Sequence, residues 1–199
     1  GNGPYVLKEW VHDSQMVYTK NPNYWNASAI TGPDTLRFLL MSDDNAILAA
    51  FRNGEILFAD SLPNDEIDAW RDKPEFNLEG QLGTYYVSFN VEKAPLDNPL
   101  VRKALLLAVD RDYIVTNIGK AGQVPAGAYV PIGLTDADPA KEFRDVGGNY
   151  YDPTKEAYQA NLQEAKKALA QAGYPDGKGL PTMEYLYNEG TGHQLIGEA

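Results

Sequence analysis

The sequence contains no cysteine. Disulfides, thiolate metal ligands and a cysteine nucleophile are therefore excluded within it. The compartment stays open, because exported proteins often lack cysteine too. Only two histidines occur, His12 and His193, without H-x-x-x-H or H-E-x-x-H spacing. Each reads as a solvent-exposed side chain rather than a metal ligand. No G-x-S-x-G elbow, P-loop or G-x-G-x-x-G is present. Asp136-Ala137-Asp138 opens like a calcium loop, but Ala140 and Lys141 follow where a ligand and a glycine are needed. Asp110 and Asp112 flank Arg111 where a helix starts, the place of a cap rather than a paired-acid site. Basic residues are scarce: 17 Lys and Arg stand against 28 Asp and Glu, a net charge of −11. That balance argues against a phosphate-binding surface, and hence against nucleic acid. No apolar run reaches the roughly 18 residues of a membrane-spanning helix, and no signal-peptide pattern is present. There is no internal repeat and no low-complexity segment.

What is there is a globular composition, 43% hydrophobic with mixed charge over 199 residues, enough for one large or two small domains. The most informative stretch is Thr84–Arg111. Thr84, Tyr85, Tyr86, Val87 and Phe89 are β-branched or aromatic and predict a strand. Pro95, Asp97 and Pro99 force a corner. Leu100, Ala104, Leu107 and Ala108 then form a helical stripe beside Arg102, Lys103 and Arg111. Alternation along the strand puts Thr84, Tyr86, Ser88 and Asn90 on one face. Tyr85, Val87, Phe89 and Val91 lie on the other, which is expected to face the core.

In chain order, Tyr5–Val11 and Met16–Lys20 predict a hairpin across the polar turn His12–Gln15. Pro22 is expected to open a helical turn that lays Tyr24 and Trp25 over it. Thr35–Met41 reads as a strand. Ser42 is expected to cap a helix over Asp43–Arg52, closed by Gly54. Glu55–Ala59 predicts another strand and Leu62–Arg71 another helix, an α/β succession with right-handed crossovers. Asp60 and Ser61 fall beyond the carboxyl end of that strand, where ligands sit in open α/β sheets, or else they cap the next helix. Further strands are expected at Phe76–Leu82 and Met183–Tyr187. Helices are expected at Asp110–Ile118, at Glu156–Ala172 with Gly173 behind it, and from Thr191 onward. Gly122–Pro131 is irregular and of the kind that lines clefts.

Four segments, in order, carry a resemblance: GNGPYVLKEWV…NPNYWN, FRNGEILFADSLP, YYVSFN…PLDNPLVRKAL…AVDRDYI, and EAKKALAQAGYPDGKGLPTMEYLYN. Together they resemble the peptide and nickel class of extracytoplasmic solute-binding proteins, the receptors of ABC importers. The resemblance implies an α/β, two-lobed, periplasmic-binding-protein-like fold, incomplete here, with mixed sheets and flanking helices. It implies an internal piece of a longer receptor, residues 1–97 in the first lobe and 98–199 in the second, with Thr84–Arg111 near the hinge. It also implies a peptide ligand, a membrane permease with its ATPase subunits as partners, and an extracytoplasmic place, lipid-anchored or periplasmic. No cofactor, metal or catalytic residue is implied.

The candidate ligand-binding residues are Asp60 and Ser61 on the first-lobe rim, Tyr86 and Asn90 on the hinge strand, Tyr85 at its start, and Tyr129 in the irregular loop. Hydroxyls and an amide on one strand face match a peptide's donors and acceptors, and aromatic faces line permissive pockets. Packing of the same sheet face against a helix is the competing reading for each tyrosine. Two alternatives stay open. One is another solute in the same family, such as a nickel chelate, haem, a sugar or a signalling peptide. The other is a hydrolase or interaction module on the same fold.

Overall fold

The computed structural model describes residues 1–188 and 190–199, with Thr191 described by its backbone alone. The chain forms two compact units, Gly1–Pro63 and Asn64–Ala199.

The first unit is built on a three-stranded antiparallel sheet, β1 (Tyr5–Val11), β2 (Gln15–Lys20) and β3 (Thr35–Leu39), in that order. The hairpin turn closes with Ser14 N–H on the Val11 carbonyl and Asp13 at φ 59°, a conformation that a short polar side chain tolerates. A bulge interrupts β1 between Leu7 and Glu9. Tyr18 meets Phe38 edge-on across β2 and β3, and Lys20 pairs with Asp34 at 2.9 Å. Asn21 is buried, with its amide donating to the Gly3 carbonyl and accepting from Asn23 N–H. After β3 comes α1 (Asp44–Arg52), which buries Ile47, Leu48 and Ala50. Its cap is Asp43, whose carboxylate accepts from Ala46 N–H at 2.8 Å, not Ser42. A carboxylate there satisfies an orphan donor and also favours the positive helix end. Gly54, at φ 73°, leaves the helix in the left-handed region, as a C′ glycine does.

Three expectations in this unit fail. Pro22 opens turns rather than a helical turn, and the single 3₁₀ turn sits at Ala27–Ala29. Trp25 does not cover the hairpin; it is 84% exposed. Glu55–Ala59 is not a strand, so among the described residues the sheet gains no parallel neighbour, and Leu57 and Phe58 stand exposed.

The second unit is helical. Helix α2 (Ile67–Trp70) is much shorter than the 62–71 reading and follows a turn at 64–66. It buries Ile67 and Trp70, with Lys73 Nζ 3.8 Å above the Trp70 ring. Helix α3 (Pro99–Ala108) starts as its sequence demands: Asn98 accepts from Leu100 N–H at 2.9 Å, and Pro99 takes the first helical position, where a missing N–H costs nothing. Arg102 ties the preceding corner by donating to the Leu96 and Asp97 carbonyls. The buried stripe is Val101, Ala104 and Leu107, whereas Leu100 is half-buried and Ala108 exposed. Ala104 and Leu107 are buried as expected, and Val101 joins them in place of Ala108.

Helix α4 (Arg111–Tyr113), capped by Asp110 on Tyr113 N–H, runs directly into a π-helical turn, Ile114–Gly119. Lys120, not Gly119, breaks it in the left-handed conformation at φ 55°. A short helix α5 (Phe143–Gly147), unforeseen in the sequence, closes a loop also pinned by a Thr135–Glu142 bridge. Helix α6 (Tyr158–Gln171) packs on α3 around Ala104, Leu107, Ala165 and Ala168, with Tyr151 and Leu169 beside them. Small residues at facing positions bring the two helices close. Lys103 and Glu164 bridge their rims at 2.9 Å. Arg111 donates to the Leu106 and Val109 carbonyls and lies 4.8 Å over the Tyr151 ring. Helix α7 (Thr191–Glu198) ends the chain.

Residues 76–82, 84–91 and 183–187 are not strands. A strand is defined by a ladder with a partner, and none of these segments finds one among the described residues.

Candidate functional site

Asp60 and Ser61 belong to the first unit; Tyr85, Tyr86, Asn90 and Tyr129 belong to the second. Asp60 is exposed and Ser61 half-buried, in irregular backbone. Neither caps the next helix, since the cap position of α2 is Glu66.

In the second unit the exposed 84–90 segment brings a group of aromatic side chains together. Tyr86 meets Tyr129 edge-to-face, with ring centroids 5.1 Å apart and planes at 64°, the arrangement favoured by opposed ring quadrupoles. A hydrogen bond with Tyr86, and then the charge of its phenol, raise the Tyr129 pKa above the ordinary phenol value. Both rings remain more than half exposed, at 57% and 59%, so their faces stay open to a solute.

Tyr85 has different company. Its hydroxyl lies 2.8 Å from His193 Nδ1 and the two rings stack, with centroids 5.6 Å apart. Partial burial, then the neighbouring phenol of Tyr185, push the Tyr85 pKa up. Tyr185 in turn stacks on Tyr187. Asn90 turns the chain: its side-chain carbonyl accepts from Glu92 N–H and its backbone carbonyl accepts from Lys93 N–H. On the side expected to face a core, Tyr85, Val87 and Val91 are 56%, 47% and 53% exposed and Phe89 is half-buried, because no layer among the described residues covers that side in full.

Sequence reasoning missed His193, Tyr185 and Tyr187. His193 is half-buried and engaged by Tyr85, not solvent-exposed. The signal available was the i, i+2 spacing of Tyr185 and Tyr187, which places both on one side of an extended segment. Nothing in the sequence indicates that His193 meets Tyr85, which lies 108 residues earlier. Among the described residues no group of three or more His, Cys, Asp or Glu is placed to hold a metal ion. No helix among them is long and apolar enough to cross a membrane.

The family model for the middle region of bacterial extracellular solute-binding proteins, family 5, matches residues 1–199. The dipeptide-binding protein DppE of Bacillus subtilis is 32% identical over 199 residues, all of this chain and 35% of its own. The periplasmic oligopeptide-binding protein OppA of Salmonella typhimurium is 34% identical over 200 residues, covering 98% of this chain and 34% of its own. Among solved structures, an oligopeptide-binding protein of Borrelia burgdorferi superposes with a TM-score of 0.81 at 25% identity, over 99% of this chain and 36% of that one. The murein tripeptide-binding protein MppA of Escherichia coli gives 0.79 at 29%, over 100% and 37%. The chain therefore spans about a third of the length of the relatives it matches. Its fold is the α/β architecture of periplasmic-binding-protein-like receptors, carried here in part.

Proposed function

This chain belongs to the bacterial extracellular solute-binding proteins, family 5, and we propose that it forms part of a receptor that captures short peptides for uptake by an ABC importer. The observation that carries the reading is the exposed Tyr86–Tyr129 pair, with Tyr86 on a segment that has no strand partner among the described residues. Before Asn90 such a segment offers backbone N–H and carbonyl groups that join no ladder among the described residues, beside broad aromatic faces. Backbone groups bind any peptide, and roomy aromatic walls accept varied side chains, so affinity comes with little sequence choice.

In this reading residues 1–97 belong to the first lobe and 98–199 to the second, and the Thr84–Arg111 stretch lies by the hinge about which they close on the ligand. Tyr86 and Tyr129 wall the cleft. Asn90 shapes the backbone behind them, Tyr85 backs the same segment, and Asp60 and Ser61 form part of the first-lobe rim. The receptor works outside the cytoplasm, periplasmic or lipid-anchored, and delivers peptide to a membrane permease driven by ATPase subunits. It binds without cleaving.

The test uses the intact receptor incubated with an equimolar mixture of alanine peptides from two to six residues. Denaturation and mass spectrometry then read what was retained. Intact peptides retained in stoichiometric amount support the receptor reading. Shortened products point to a hydrolase, and no retained peptide sinks the reading.

A further inference from the structure

We propose that His193 is a positioning residue, which locks the rotation of the 84–90 segment through Tyr85 and thereby sets the orientation of Tyr86. Residues 193 and 197 of α7 are spaced i, i+4 and share one helix face. His193 presents Nδ1 to the Tyr85 hydroxyl at 2.8 Å and stacks on its ring at an interplanar angle of 21°. At Gly197 an added Cβ would lie 2.8 Å from Tyr185 Cε1 and 3.0 Å from Cδ1, so a larger residue there would displace that ring. The face is flat where Tyr185 presses on it and polar where Tyr85 reaches it.

Tyr85 and Tyr86 therefore have separate partners: His193 and Tyr185 for the first, Tyr129 for the second. Adjacent side chains on extended backbone project to opposite sides. Holding the first ring fixes the roll of the segment about its axis, and the roll decides where the second ring points. The hydrogen bond forms in either imidazole tautomer. With Nε2 protonated the phenol donates to Nδ1; with Nδ1 protonated the imidazole donates to the phenol oxygen. An asparagine amide offers both a carbonyl and an N–H near the same point, whereas leucine offers neither.

The consequence for peptide affinity rests on the receptor reading; the geometric claim does not. The test therefore has two readouts on the intact receptor, calorimetric affinity for trialanine and the ring resonances of ¹³C-labelled tyrosine without peptide. His193→Leu is expected to move the Tyr86 ring resonances and weaken trialanine binding about five-fold, the equivalent of one net hydrogen bond. His193→Asn is expected to restore both. Tyr85→Phe, which removes the same bond with almost no change of shape, is expected to match His193→Leu, and the double variant to be no worse than either. Tyr86 resonances that follow the hydrogen bond while trialanine binds no variant, wild type included, support the positioning role and discard the receptor reading. Tyr86 resonances unmoved in both His193→Leu and Tyr85→Phe overturn the proposal, as does an asparagine variant no better than leucine. Weakened binding with unmoved Tyr86 overturns it as well, because His193 then meets the peptide itself.

Discussion

The edge of one ring meets the face of the other where Tyr86 contacts Tyr129, 5.1 Å between centroids, and a hydrogen bond between the phenols raises the Tyr129 pKa. Two residues 43 positions apart in the sequence thus act as one surface. In the intact receptor, Tyr86→Ala and Tyr129→Ala are each expected to weaken trialanine binding. The double variant should lose less than the sum, with a coupling of about 0.5–1.5 kcal/mol for an edge-to-face pair. Tyr86→Phe should also return the Tyr129 titration towards the ordinary phenol range, read by tyrosinate absorbance. Additive losses by calorimetry would separate the two rings functionally.

Helix α3 offers a test of packing. Val101 is fully buried, and Ala168 on α6 is 2% exposed. Val101→Ala should cost on the order of 1–3 kcal/mol from lost burial and the cavity left behind. Ala168→Leu should cost about 1–3 kcal/mol from overpacking. Ala108, exposed on the same helix, is the control, and Ala108→Ser should stay within about 0.5 kcal/mol. Urea midpoints of the intact receptor measure all three. Equal midpoints for Val101→Ala and Ala108→Ser would contradict the burial described for α3.

Acid should remove part of the α3–α6 association. The Lys103 ammonium, first by its hydrogen bond and then by its charge, holds the Glu164 carboxyl below the usual glutamate value of 4.5. A carboxylate with a depressed folded-state pKa adds stability that is fully present above its unfolded value and is lost as pH falls through the folded one. Wild type and Lys103→Met should therefore differ in stability at neutral pH and converge as pH drops through the acid range below 4.5. The pair is half exposed, so salt should shrink the difference. A gap that widens on acidification would reverse the sign assigned here.

Asn98 carries the start of α3, its side-chain oxygen accepting from Leu100 N–H. Asn98→Ala should cost about 1 kcal/mol. Asn98→Asp should keep the acceptor and add a charge favoured at that helix end. Thermal unfolding of both variants decides: if alanine and aspartate behave alike, the cap is idle.

The helices were legible because a helix is a local object. Period, cap and stop signal all lie within one segment, and α1, α3, α6 and α7 appear within a few residues of where those signals put them. The hairpin was legible for the same reason, its partners lying either side of one turn. The segments at 55–59, 76–82, 84–91 and 183–187 have strand composition but no ladder among the described residues, since pairing depends on residues far away in the sequence. The burial of Val101 rather than Ala108 on α3 escaped notice because both are apolar, and only the partner helix chooses between them. At the candidate site, alternation separated Tyr85 from Tyr86 correctly, yet it assigned Tyr85's side to a core that the described residues do not supply. The Glu55–Ala59 strand fails in the same way, so the fold's β content is the part the sequence overstates.

One amide at the edge of the first unit has a wider effect than its size implies. Asn21 follows β2, and its side chain holds the Gly3 carbonyl ahead of β1 while its own backbone N–H bonds the Pro4 carbonyl. The two-stranded ribbon is thus fastened at its free end as well as at its bend. Sliding one strand past the other by a single position would have to break both fastenings together, so slippage is opposed at the end where a ribbon ordinarily begins to fray.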